Sequence, residues 1–245
     1  GTTFSSMQFG KESNTYDFTF DNALTVNGSL QVYAGKIILN ENITSTADGD
    51  IFLKSQNDTN GSFLLKSGKT IEKTAGSGTV TFQGDARIIV NGTIQATGNA
   101  MQNVVLWSDY DGDGNDGGVT LMGDVNTNGG HLWVGGSNTA NGSATWNGIA
   151  VGDGPSDGAN GYNQNAFDFS GNINTNGGDV LLWAGTPNGA SRTLFFYDSY
   201  TLNSGSGDIT IIADDVEGGT GDQLTIESTG TFTFKPNGTA WKASE

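Results

Sequence analysis

The chain of 245 residues has no cysteine, a single histidine, three prolines and only ten basic residues. Without cysteine there are no disulfides and no thiolate chemistry, and zinc sites built from several His or Cys are excluded by count. Nucleophilic chemistry of the Ser–His–Asp kind would rest on His131 alone. Ten Lys and Arg against 26 Asp and Glu leave a formal charge of −16. Phosphate backbones and anionic lipid surfaces are repelled by such a balance, so nucleic acid is not an expected partner. No apolar run approaches the ~20 residues of a membrane-spanning helix, and membrane insertion is not expected. Helix signals are also missing. No stretch of a dozen residues keeps a 3.6-residue period without a glycine intervening.

What is present is glycine, 39 residues of it, with Asn, Thr, Ser and Asp, and between them short apolar runs of strand type. A phrase recurs. Residues 123–131 read GDVNTNGGH before LWVGG, and 171–179 read GNINTNGGD before VLLWAG. Looser copies lie at 41–53 and 87–107. Small-residue corners between short strands, in a repeating unit, point to one shape built by stacking. The expected fold is all-β, a right-handed parallel β-helix (β-solenoid) with short strands and one long loop excursion at 137–165. Residues 1–245 read as a single β-solenoid domain, a segment of a larger protein. The 48-residue offset between the two best copies is read as two coils of 20–25 residues each.

Superposing the copies gives a facing test. Ile51, Val104, Leu132 and Val180 share one column, and Leu53, Leu106, Val134 and Leu182 another. All are aliphatic, as inward positions should be. Lys54, Trp107, Gly135 and Trp183 are mixed and read as outward. Phe52, Val105, Trp133 and Leu181 should also face outward, yet all are apolar. Either a corner covers them or the solenoid has an apolar outer face, which would mark a contact surface. Phe18, Phe20, Phe232, Phe234 and Trp241 fit end coils.

The pattern GxIxTxGGDVxLxA, preceded by a short apolar strand and an NG corner, resembles the β-helical repeats of large bacterial exoproteins, the filamentous-haemagglutinin-like adhesins. The stretch GDITIIADDVEGGTGDQLTIESTGTFTFKP is similar to them too. The resemblance implies a secreted or cell-surface β-helix acting as stalk or adhesive segment, with no catalytic residues.

The sharpest local motif lies at 109–116. Asp109, Asp111 and Asp113 alternate, followed by Asn115 and Asp116. Such spacing gathers hard oxygen ligands, which suits Ca²⁺. Gly114 fits the sixth position of an EF-hand loop, but the twelfth is Thr120 and a strand follows, so the expected calcium loop is of another kind. The bland alternative is a solvated acidic turn. Asp153 with Asp157, and Asp214, Asp215 and Glu217, are lesser acidic corners, read as solvated turns. Trp107, Trp133, Trp146 and Trp183 are candidates for stacking on sugar rings, with local packing or cover by the 137–165 loop as the alternative. His131 aligns with Asp179 and Asp50 and reads as a corner residue. Arg87 and Arg192 are the only arginines and have no acidic cluster beside them in sequence.

These features point to an extracellular structural or adhesive protein, calcium-stabilised, whose partner is a glycan or a partner-cell surface protein. No enzyme activity is expected. A β-helical polysaccharide lyase or hydrolase and a self-assembling filament subunit are the alternatives.

Overall fold

The structure is a computed structural model describing residues 5–56, 61–112, 117–136, 144–156, 165–185 and 192–237. Among the described residues there is no helix. Strands pass in rotation to three sheets. Ser29–Ala34 lies in sheet A, Ile37–Leu39 in sheet B and Ile43–Ser45 in sheet C, and Ile51–Ser55 then returns to sheet A beside Ser29–Ala34. Sheet A has nine strands and sheets B and C eight each. Neighbours within each run parallel, as a chain returning after every full turn must. The chain is a parallel β-solenoid of about eight turns, with three strands to a coil.

Strict alternation fills the interior. In sheet A, Leu30, Ile51, Val80, Val104, Leu132, Val180 and Ile209 stack in register and are buried. Sheet B contributes Ile37, Phe63, Ile88, Val119, Phe167 and Leu194. Sheet C contributes Ile43, Ile71, Ile94, Val125, Ile173 and Leu202. Each column is continuous because every apolar side chain rests on another apolar one in the next coil, giving one core through the coils. Phe18 and Phe20 sit in the first coil, and Phe232 and Phe234 in the last described strand. Trp241 lies outside the described residues.

The polar residues at the corners are also structural. At the corner before most sheet A strands, a side chain accepts the backbone N–H of its counterpart one coil on. Asp50 Oδ1 accepts from Thr79 at 2.8 Å, Asn103 Oδ1 from His131 at 2.9 Å, Asp179 Oδ1 from Asp208 at 2.8 Å and Asp208 Oδ1 from Thr231 at 2.7 Å. The single histidine takes the same part, with Nδ1 accepting from the Asp179 N–H at 2.9 Å. Corners elsewhere repeat the device at Asp17, Asn42, Asp48, Asp124 and Asn172. The Ser77 amide, bonded to Asp48, holds that carboxyl below the usual carboxylate range. Part of the chain's acidity therefore consists of acceptors for corner amides of the next coil.

The repeated phrase forms the corner between sheets C and A. The buried Thr127, Thr175 and Ser204 hydroxyls donate to the carbonyls of Gly130, Gly178 and Gly207. Asn176 Nδ2 donates to Asn128 Oδ1 at 3.2 Å. Asn126 pairs with Asn174, so these two copies are adjacent coils. The reading of 48 residues as two coils is thus corrected. It is one coil enlarged by the excursion, whereas ordinary coils repeat after 19 to 31 residues. The last glycine of the phrase is needed for close approach. A Cβ on Gly178 would lie 1.9 Å from the Gly130 carbonyl oxygen.

One cation lies inside a corner. Lys73 is buried, with Nζ donating to Ser45 Oγ at 2.9 Å and to the carbonyls of Ala47 at 2.8 Å and Gly49 at 3.2 Å. Burial pushes its pKa down, partly opposed by the charges of Asp48 and Asp50.

Gly178→Ala should cost about 2 kcal/mol or more in urea unfolding, since backbone and not a flexible side chain blocks the added methyl. For Lys73, the unfolded chain holds the proton more tightly than the folded one. Between the lowered folded value and the ordinary lysine value of ~10.4 the unfolded state carries more protons, so this group's effect on stability becomes more favourable as pH rises. The stability difference between wild type and Lys73→Met should therefore shift towards wild type as pH is raised, measured by denaturant unfolding at stepped pH.

Candidate functional site

The excursion at 137–165 departs from this regular frame. Its described part holds two short antiparallel strands, Ala144–Trp146 and Ile149–Val151. Asn147 and Gly148 join them with φ of 48° and 77°, the left-handed pair that a two-residue hairpin turn requires. Asn165, counted at the end of the excursion from sequence, already belongs to the sheet B strand Asn165–Phe169. The return path is fastened to sheet A. Gly136 and Gly154 exchange two backbone hydrogen bonds, and Ser156 bridges to Ala184.

The hairpin lies on the outer face of sheet A. Beneath it Val105, Trp107 and Trp133 form a second apolar cluster with Ile149 and Val151. Trp107 and Trp133 keep only 3% and 1% of their surface exposed, ring edge to ring face at 6.3 Å. The Trp107 indole nitrogen is buried against Gly152 and has no hydrogen-bond partner among the described residues. At the tip, Asn147 Nδ2 donates to Asp179 Oδ2 at 2.6 Å and lies 3.3 Å from His131 Nδ1. Because Nδ1 also accepts from the Asp179 amide, the neutral ring carries its proton on Nε2. Trp146 meets His131 edge-on at 5.7 Å.

These positions resolve the apolar outward row. Phe52, Val105, Trp133 and Leu181 do share one column, extended by Gln31 and Thr81. The hairpin covers its middle, Val105 and Trp133. The four tryptophans do not form one open platform. Trp107, Trp133 and Trp146 belong to the hairpin cluster, and the half-buried Trp183 donates from Nε1 to Asn237 Oδ1 at 2.8 Å.

Where the hairpin stops, a step is left on sheet A. There a groove of about 360 Å³ opens, a volume at the lower end for small-molecule sites. Its floor is two parallel rows, Ser29, Asp50 and Thr79 along the corner, and Gln31, Phe52 and Thr81 along the outward column. Its wall is Trp107 with Gly148, Ile149 and Ala150 of the hairpin. Beside Phe52, Tyr33 stands at 6.0 Å between ring centres. The nearby Lys54 is committed elsewhere, to Glu12 at 3.1 Å and over the Tyr110 ring at 4.3 Å.

Of the expected calcium ligands, Asp109 is fully buried with a left-handed backbone (φ 52°), and Asp111 is half-buried. Asp113, Asn115 and Asp116 lie outside the described residues. Among those described, no group of three His, Asp or Glu converges on one point. A buried carboxylate at the mouth of an acidic loop suits a hard cation, which would offset the cost of burying that charge.

Arg87 lies at the corner between sheets A and B, away from the groove. Nη1 donates to Asp168 Oδ2 at 2.9 Å and to Thr120 Oγ1 at 2.8 Å, and Asn165 supports the buried Asp168 at 2.7 Å. The acidic partner absent from its sequence neighbourhood arrives from two coils further on. Arg192, as a side chain, and Asp157 lie outside the described residues. Asp153 is exposed, and Asp214, Asp215 and Glu217 are half-buried.

Cover of the tryptophans by the 137–165 loop was one of the two sequence readings, whereas the groove and the Asn147 contacts at the hairpin tip were not foreseen. Their only advance signals were the apolar outward column and the Asn-Gly pair between two alternating triplets. No protein-family model, no curated protein and no solved structure matches this chain.

Trp133→Ala should cost about 3 kcal/mol and free the hairpin, since it removes one of the two buried tryptophans of the cluster. Asn147→Gly, which keeps the left-handed turn and removes only the side-chain hydrogen bond, should cost no more than about 1 kcal/mol. Amide hydrogen exchange at residues 144–151 separates the two effects.

Proposed function

We propose that this chain is an extracellular structural and adhesive segment of a bacterial surface or secreted adhesin, stabilised by Ca²⁺ at the 109–116 loop. The observation that carries the reading is where its polar residues go. Corner carboxylates and amides are spent on joining coil to coil, which gives a long rigid rod rather than a reaction centre. Among the described residues lining the groove the only carboxylate is Asp50, whereas glycoside hydrolysis by the common route uses two. Arg87, one of the two arginines that could serve a lyase as base, is bonded to Asp168 on another face. The net charge of −16 supports solubility and cation binding. The phrase repeats resemble those of filamentous-haemagglutinin-like exoproteins. A filament subunit is the second reading, favoured by Phe232 and Phe234, which stand 46% and 42% exposed on the last described strand.

Calcium would bind Asp109 and Asp111 and neutralise charge at that corner. Millimolar Ca²⁺ should raise the melting temperature by about 5 °C if it exceeds the dissociation constant a hundredfold. The rise should vanish in EDTA and in the double variant Asp109→Asn, Asp111→Asn. An unchanged melting curve would remove the ion from the account. Beads coated with the protein should adhere to cell layers, and uncoated beads should not. Equal adhesion of both would contradict the adhesive role, and concentration-dependent fibres in electron micrographs would favour the filament.

A further inference from the structure

The groove beside the hairpin has a chemical character of its own. Its floor rows come from three adjacent coils, Ser29–Ala34, Ile51–Ser55 and Ser77–Gly84. Strand spacing places successive rungs ~4.8 Å apart, and alternation places the two rows ~6.6 Å apart. The result is a rigid grid of hydroxyl, amide and carboxylate groups. The corner row is partly used. Asp50 Oδ1 accepts the Thr79 amide, Ser29 Oγ accepts the Asp50 amide at 3.3 Å, and Thr79 Oγ1 accepts from Asn103 at 3.4 Å. The outward row is open. Among the described residues, the Gln31 amide and the Thr81 hydroxyl have no protein hydrogen-bond partner, and Phe52 between them is half-buried.

Among the described residues no cation lines the groove. With Asp50 on its floor and a chain charge of −16, an anionic ligand would be repelled. A cationic peptide would find one carboxylate, already half engaged. A ligand with many hydroxyls and an apolar face meets complementary groups at every rung: Gln31, Thr81, Ser29 and the free oxygen of Asp50 for hydroxyls, and the Phe52 ring for a C–H face. We propose that this groove binds a neutral oligosaccharide, laid across the coils against the hairpin wall. The inference rests on the adhesive reading and gives it a site and a ligand class. The ordered hairpin is what makes the site, because without it Phe52 and Thr81 lie on an open sheet face.

The test is isothermal titration of the intact chain with neutral tetrasaccharides (gluco-, manno- and N-acetylglucosamine-type) and with an acidic tetragalacturonate. At least one neutral ligand should bind, and the acidic one should not. Gln31→Ala should weaken binding at least fivefold, and Thr81→Trp, which fills the groove from an outward position, should abolish it. Melting curves of both variants should stay within a few degrees of wild type. No neutral binding by the folded chain, preference for the acidic ligand, or binding that survives Thr81→Trp would each overturn the proposal. Should Thr81→Trp beads adhere to cell layers as well as wild type, the adhesive role stands and the groove proposal falls. If no beads adhere, the broader reading falls on its own.

Discussion

Everything in this molecule depends on a coil finding its hydrogen bonds in the coil above. Strands do this through their main chains. Corners cannot, because a tight change of direction turns amides out of the ladder. Here side chains complete the ladder, with Asp50, Asn103, His131, Asp179 and Asp208 each accepting the amide of the equivalent residue one turn later. Each such bond contributes on the order of 1 kcal/mol, and the solenoid repeats it from coil to coil. A composition rich in Asp, Asn, Thr and Gly, which in another chain would signal disorder, is here what lets the backbone turn repeatedly.

The same constraint explains how a long insertion is tolerated. Between Gly136 and Asn165 the chain leaves the stack, yet the coils on either side remain in register, with Leu132 beside Val180 and Asn126 beside Asn174. Nearest-neighbour stacking requires only that the rung be completed, not that the path between rungs be short. The excursion then spends its own apolar residues on sheet A, and in doing so turns an exposed Trp and Val surface into a second small core and leaves a walled groove at its edge. Site and scaffold thus arise from one event, the placing of a hairpin across the outward column.

Much of the fold was legible in the sequence. The inward columns followed from alternation, and His131 was placed at its corner by alignment with Asp50 and Asp179. Two features resisted. The 48-residue offset looked like two coils because sequence distance cannot tell a regular turn from an interrupted one. The role of the corner acids was not readable, since a carboxylate facing water and one accepting an amide from the next coil are the same letter. The recurrence of Asp, Asn or His at one column was the signal, and it becomes physical only once that column is known to stack. The tryptophans show the limit from the other side. Their outward register was readable, but the cover over Trp107 and Trp133 comes from Ile149 and Val151, which no local pattern ties to them.

The most direct test of the corner ladder is residue-resolved amide hydrogen exchange on the folded chain. The amides of Thr79, His131, Asp179, Asp208 and Thr231 sit at corners where loop amides ordinarily exchange within seconds to minutes. Our account predicts that they are protected to the same degree as the strand amides beside them, such as those of Val80 and Ile209. Exchange at rates typical of exposed turns, with the strands still protected, would contradict it and return the corner acids to solvent.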